Sequence, residues 1–245
     1  MNTCGQGYCC TKIDNLTVTK GSDTILSKVN FHIHCGEITS IIGRNGAGKT
    51  TLIRALLGEI KYSGKISFHH HTGAQKSLKI GYVPQKLNLD NSPSSVYDIF
   101  ASFISDKPVF LFKSKKLYAQ IQMQLAEFGA ELLIDKRISE LSGGELQRVM
   151  LSLAMIPLPD ILLLDEPVSG MDRDGLDMFY KKLIDLKSKN DIAILMVSHD
   201  FDYVSRYSDR VILLNKTVLE DNTPDILLSG NNFKREFRID FGGKR

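Results

Sequence analysis

Long apolar runs are missing from this chain. No window holds the ~18 consecutive apolar residues of a membrane-spanning helix, and the opening stretch MNTCGQGYCCTK lacks the apolar core of a secretory signal. The chain is therefore expected to be soluble by itself, which leaves work at a membrane to a partner. An excess of one charge is missing as well. With 31 basic and 28 acidic residues the formal net charge is +3, too balanced for a nucleic-acid patch or a polybasic membrane anchor. Cysteine is sparse: the four residues at 4, 9, 10 and 35 contain no pair of C-x-x-C motifs. Cys9 and Cys10 are adjacent and form no ordinary bridge with each other, so the set reads as reduced thiols in a cytosolic protein. Repeats and low-complexity linkers are also lacking. The 245 residues fit one large α/β domain, and 42% hydrophobic content can fill its core.

Strand-like runs are plentiful. In VNFHIH (29–34) the apolar Val29, Phe31 and Ile33 alternate with Asn30, His32 and His34, the pattern of a half-exposed antiparallel sheet; KIDNLTVT (12–19) and GKISFHH (64–70) are further strand-like runs. EITSIIG (37–43), KIGYVP (79–84), DILLLDE (160–166), DIAILMVS (191–198) and RVILLN (210–215) complete the set. Of these, ILLLD and IAILMV are continuously apolar, as parallel strands buried on both faces require. Helical segments follow at 49–57, 143–156 and 174–189. The alternation predicts an α/β fold: a doubly wound parallel core with a small antiparallel sheet at its edge. Core sequence is expected over about 12–90 and 157–225, a mostly helical insertion over about 91–156, and a tail over about 226–245 whose stretch NNFKREFRIDFGGKR is polar enough to be partly loose.

The chemistry starts at GRNGAGKTT, which runs Gly43, Arg44, Asn45, Gly46, Ala47, Gly48, Lys49, Thr50, Thr51. It matches G-x-x-x-x-G-K-[ST] and stands where that motif must stand, after an apolar strand and at the opening of a helix. Its glycines let successive N–H groups turn inward toward phosphate oxygens, and the helix end adds partial positive charge. Lys49 is suited to reach the β and γ phosphates, and the Thr50 hydroxyl to ligate Mg²⁺. ILLLDE then delivers Asp165 and Glu166 at the carboxyl end of a buried strand, where open α/β sheets place their ligands. Asp165 suits Mg²⁺, and Glu166 suits a general base acting on water. Taken alone, adjacent acids at a strand end also fit a solvated turn. A third element, LSGGELQRV, places Ser142 and Glu145 as a capping box around Gly143 and Gly144. Those bare N–H groups form a second anion site far along the chain.

Together these stretches resemble the ATP-binding subunit of an ABC transporter. In that family GRNGAGKT is Walker A, Gln85 of GYVPQK the Q-loop, LSGGELQ the signature, ILLLDE Walker B, SGMD (169–172) the D-loop, and His199 of MVSHD the switch histidine. All occur here in order across nearly the whole chain. The resemblance implies ATP and Mg²⁺ as cofactors, with Thr50, Gln85 and Asp165 around the metal and Glu166, His199 and Gln85 in catalysis. It implies a homodimer that holds each nucleotide between Walker A of one chain and Ser142, Gly143 and Gly144 of the other. It also implies a membrane permease, an indirect link to a periplasmic or extracellular metal-binding protein, no nucleic-acid partner, and a peripheral place on the cytoplasmic face of a bacterial inner membrane.

Departures from the family pattern fall at Lys20, where an aromatic residue often stacks on adenine, at Arg44, where proline is frequent, and at Val168, where threonine is common. Neither Arg44 nor Val168 removes a reacting group, and Tyr8 could replace the aromatic only by folding back. KIGYVPQKLNLD most resembles the ATPases of zinc importers, with manganese importers near behind; iron or another cargo would leave the same catalytic residues. Soluble ABC ATPases of DNA repair need a coiled coil between Thr51 and Ser142, for which there is no room. Translation factors usually carry two ATPase units per chain, against one here. NKTV (215–218) lacks the aspartate that reads guanine.

Six histidines include the triplet His69, His70 and His71 and the pair His32 and His34. In extended chain His69 and His71 share one face and His70 the other. A four-histidine cross-strand zinc cluster is conceivable, with a solvated hairpin tip as the plainer alternative.

Overall fold

The structure is a computed structural model that describes residues 9–68, 78–85, 92–105, 114–168, 171 and 173–238. In chain order its strands are β1 (Cys9–Lys20), β2 (Asp23–His34), β3 (Ile38–Ile42), β4 (Ser63–Phe68), β5 (Ile80–Val83), β6 (Ile161–Asp165), β7 (Ala193–Val197), β8 (Arg210–Asn215) and β9 (Thr217–Asn222). Its helices are α1 (Lys49–Leu56), α2 (Val96–Ile104), α3 (Lys115–Ala126), α4 (Gly143–Ala154), α5 (Arg173–Asn190), α6 (Phe201–Tyr207), α7 (Pro224–Ser229) and α8 (Asn231–Phe237).

Two sheets divide the strands. The antiparallel one runs β2-β1-β4; the larger runs β5-β6-β7-β3-β8-β9, parallel except for β9. Continuous apolar runs arise because both faces of the parallel strands are covered. In β6, Ile161 and Leu163 face a core shared with α1 and the antiparallel sheet, while Leu162 and Leu164 face α5. Alternation in β2 likewise buries Leu26, Val29, Phe31 and Ile33 and leaves His32 and His34 half-buried.

Helices α2, α3 and α4 enclose a core of their own, built on Val96, Tyr97, Phe100, Ile121, Leu125, Val149 and Leu153. Helix α4 also sends Leu151, and the residue capping its end, Met155, into the core beneath α5, so it spans both bodies of side chains. Its carboxyl end lies on β5, where a Cβ on Gly81 would come within 2.3 Å of the Ala154 carbonyl oxygen. Only glycine admits that approach.

Over the described part of the tail, α7 and α8 pack Leu227 and Phe233 against Ile42, Val204, Val211 and Leu213. Without them Val211 and Leu213, the second face of β8, would meet water. The expectation of reduced thiols is corrected at Cys35, which is disulfide-bonded.

The tail can be tested directly. Phe233→Ala is expected to cost ~3 kcal/mol in denaturant unfolding, the scale of a buried aromatic truncation. An unchanged midpoint would mean that α8 contributes nothing to the core.

Candidate functional site

Strands β6, β7 and β3 lie side by side, so the segments leaving their carboxyl ends meet. After β3 comes the loop from Gly43 to Gly48. A Cβ at Gly43 would lie 2.2 Å from the Leu214 carbonyl oxygen, and Gly48 adopts φ +98° with Leu26 Cδ2 only 2.5 Å from where a Cβ would stand. The loop is thus seated against β8 and β2 by having no side chains there. Gly48 caps α1 without any side-chain hydrogen bond, which leaves the N–H groups of the first turn available to an anion.

Lys49 opens α1 and is 7% exposed. Its Nζ donates to the carbonyls of Gly43 at 2.7 Å and Arg44 at 3.1 Å. Burial lowers its pKa, and the charges of Glu166 and Asp165 oppose that shift. Asp165 ends β6 at 2% exposure. Burial raises its pKa, while a hydrogen bond from the Thr50 side chain works the other way. Its Oδ1 has no hydrogen-bond partner. An orphaned buried carboxylate oxygen beside a hydroxyl is a donor set that fits a hard divalent cation.

Glu166 follows in a left-handed conformation, φ 49°, with its N–H on the Val197 carbonyl at 3.1 Å. Both carboxylate oxygens are engaged. Gln85 Nε2 donates to Oε2 at 2.5 Å, and His199 Nε2 lies 2.6 Å from Oε1. Gln85 comes from the end of β5 and His199 from the end of β7, so three strand ends deliver this trio. A cavity of about 660 Å³ joins it to the glycine loop, with Lys49, Thr50 and Thr51 in its wall and Ile25 of β2 at its rim. Sequence reading missed Ile25, because only the β1–β2 fold brings it to the loop. Lys20 is exposed and does not line this cavity.

Ser142, Gly143 and Gly144 stand elsewhere. They line a separate cavity of about 710 Å³ with Phe128, Phe179 and Lys182. Ser142 caps α4 in a reciprocal box with Glu145, its N–H donating to Oε2 at 2.9 Å, and Lys136 Nζ holds Oε1 at 2.9 Å. Lys136 was not legible in the motif, since it reaches α4 from outside it. The backbone bond from Ser142, then the Lys136 contact, hold the Glu145 carboxyl down at about 2. Tyr8, Ser169, Gly170, Asp172 and the His69–His71 triplet lie outside the described residues. The rings of His32 and His34 are 6.2 Å apart, and no group of three or more metal-ligating side chains occurs among the described residues. No described helix is long and apolar enough to cross a membrane.

The ABC transporter family profile matches residues 26–169. The zinc import ATP-binding protein ZnuC of Roseobacter denitrificans is 37% identical over 227 residues, covering 92% of this chain and 83% of that protein. This chain belongs to the ABC transporter ATP-binding family. ZnuC of Haemophilus ducreyi is likewise 37% identical over 231 residues, 94% of this ABC ATPase and 82% of the relative. Among solved structures, cbiO1 of Clostridium perfringens, part of the ABC transporter complex cbiONQ, superposes with a TM-score of 0.72 at 26% identity, covering 95% of this chain and 96% of that one.

The cap of α4 in this ABC ATPase carries a pH signature. Because the folded-state pKa of Glu145 lies below its ordinary value of 4.5, its stabilisation is full above that value and is lost as pH falls through the folded pKa. Thermal melts of Glu145→Gln and wild type are expected to differ most above pH 4.5 and to converge toward pH 2. A gap independent of pH contradicts the charge-held cap.

Proposed function

We propose that this ABC ATPase energises import of a divalent metal, zinc, through a partner membrane permease. The observation that carries the ATPase part is the convergence of Lys49, Thr50 and a two-sided Glu166 on one cavity beside a helix start, with the buried Asp165 held next to Thr50. Zinc is supported by the likeness to zinc import ATP-binding proteins over more than nine-tenths of the chain. Manganese or iron would require no change in these residues.

The triphosphate binds along the loop from Gly43 to Thr51. Backbone N–H groups there, including those of Gly46 and Gly48, face its oxygens, and Lys49 exchanges its two carbonyl partners for the β and γ phosphates. Thr50, Asp165 and, through its amide oxygen, Gln85 would hold Mg²⁺, which when bound offsets charge on the β and γ oxygens. Glu166 accepts a proton from the attacking water, and His199 holds that water and the γ-phosphate in line. For this step Gln85 must let go of Glu166 Oε2, because a carboxylate oxygen already accepting an amide N–H is a poorer base.

Ser142, Gly143 and Gly144 line a different cavity from the loop and act on the nucleotide of a second copy. The working unit is a head-to-tail homodimer with nucleotides at its interface, peripheral on the cytoplasmic face of the bacterial inner membrane. An extracytoplasmic metal-binding protein hands cargo to the permease and does not touch this chain.

Glu166→Gln is expected to keep ATP binding and to slow hydrolysis by about 10² to 10⁴, the range for losing a general base. Lys49→Ala should weaken nucleotide binding itself; unchanged affinity would remove the loop from the site. Cargo is decided by the complex reconstituted in vesicles with zinc and manganese in competition. Zinc-dependent turnover and uptake are expected, and uptake of manganese alone would replace the cargo while keeping the ATPase.

A further inference from the structure

His199 has little hold of its own. Its side chain is 39% exposed and its polar partner is Glu166, so the aim of the imidazole depends on the backbone to either side. Ser198 is 2% exposed, and its N–H donates to the Ile41 carbonyl of β3 at 3.3 Å. Asp200 donates its N–H to Ser198 Oγ at 3.2 Å and caps α6, its carboxylate accepting from the N–H groups of Asp202 at 3.1 Å and Tyr203 at 3.2 Å. One flank of His199 is therefore anchored in the sheet and the other in α6.

A helix of seven residues does not keep a position by itself, because helices this short are unstable in water without packing. Two aromatic clusters supply the packing. On one side Tyr203 and Tyr207, one helical turn apart, both stack on the fully buried Tyr180 of α5, with ring centroids at 4.9 and 5.0 Å and interplanar angles of 20° and 18°. Tyr203 also donates its hydroxyl to Asp177 Oδ1 of α5 at 2.9 Å. On the other side Phe201, two residues past His199, meets Phe233 and Phe237 of α8 edge-on, with centroids at 5.0 and 4.8 Å. Stacked and edge-on pairs are the arrangements that ring quadrupoles favour, so each fixes orientation as well as distance.

We infer that α6 aims His199, and that the rings holding it from both sides, Tyr180 of α5 and Phe201 with Phe237 of α8, are positioning residues for hydrolysis. The inference rests on the role given to His199 above. It adds α8 to the machinery of that step, although α8 contributes no described residue to the wall of the nucleotide cavity. Phosphate binding belongs to the loop from Gly43 to Thr51, so a shift of α6 should disturb the hydrolytic step and spare nucleotide affinity.

The test separates binding from turnover in the full-length chain. Phe237→Ala, at a ring that is only half-buried, should leave ATP affinity in equilibrium binding within about twofold and lower kcat by about ten- to a hundredfold, the scale of an ångström of misplacement. Phe237→Tyr keeps the ring and should recover most of the rate, and Tyr180→Leu, which removes the stack from the other side, should lower kcat as Phe237→Ala does. Combined with His199→Gln in single-turnover hydrolysis, Phe237→Ala should slow the residual reaction no further, because the residue it acts through is gone. An unchanged kcat, a loss of ATP affinity in step with kcat, or additional slowing on top of His199→Gln overturns the inference and leaves the ATPase reading standing. Hydrolysis by His199→Gln at the wild-type rate overturns the role of His199 and this inference with it.

Discussion

A buried ammonium group has to be met by oxygen atoms, and Lys49 is met by the carbonyls of the loop that precedes it. That arrangement shapes the rest of the site. The loop closes around its own cation, its Ala47 carbonyl is tied to the Lys216 N–H between β8 and β9, and its glycines allow β8 and β2 to press against it. The lysine is thereby stored in the geometry in which a phosphate chain can take over from two backbone oxygens. Its charge is also what lets two carboxylates sit at the end of β6. Asp165 and Glu166 both act to keep Lys49 protonated against the effect of burial, and Lys49 returns the favour to Asp165.

Sheet order makes this possible at no cost in loop length. Because β6, β7 and β3 are neighbours, the cation meets the acids and His199, which lie more than a hundred residues further along the chain. The second anion site obeys a different constraint. Ser142 and its glycines are carried by α4, whose side chains belong to both the helical core and the core under α5. A helix so anchored holds its N-terminus rigidly, in a cavity distinct from that of Lys49. On the proposed reading, each of these two segments completes a nucleotide site on another copy.

Much of this was legible in the sequence, for reasons particular to each element. The loop from Gly43 to Thr51 could be read because its shape depends on residue types at fixed spacing, and β6 and β7 because strands covered on both faces admit only apolar residues. The capping box at Ser142 was visible because Glu145 stands three residues on. Helices α7 and α8 were not, since six and seven residues are too few to show a helical period. Their apolar anchors Leu227 and Phe233 are intelligible only once β8 is seen to need a second cover. The Cys35 disulfide depends on a second cysteine brought near in space, and Ile25 in the cavity wall on how β2 crosses the loop. Neither is encoded in spacing along the chain.

The central claim is that one nucleotide is held by Lys49 of one chain and Ser142 of another. It is tested most directly by mixing two inactive variants, Lys49→Ala and Ser142→Arg, and measuring ATP hydrolysis as the ratio is varied. Each mixed dimer contains one intact composite site, formed by the loop of the second variant and the signature of the first. The account predicts turnover that neither variant has alone, greatest near equal proportions. Turnover that stays at the sum of the separate variants at every ratio would contradict it.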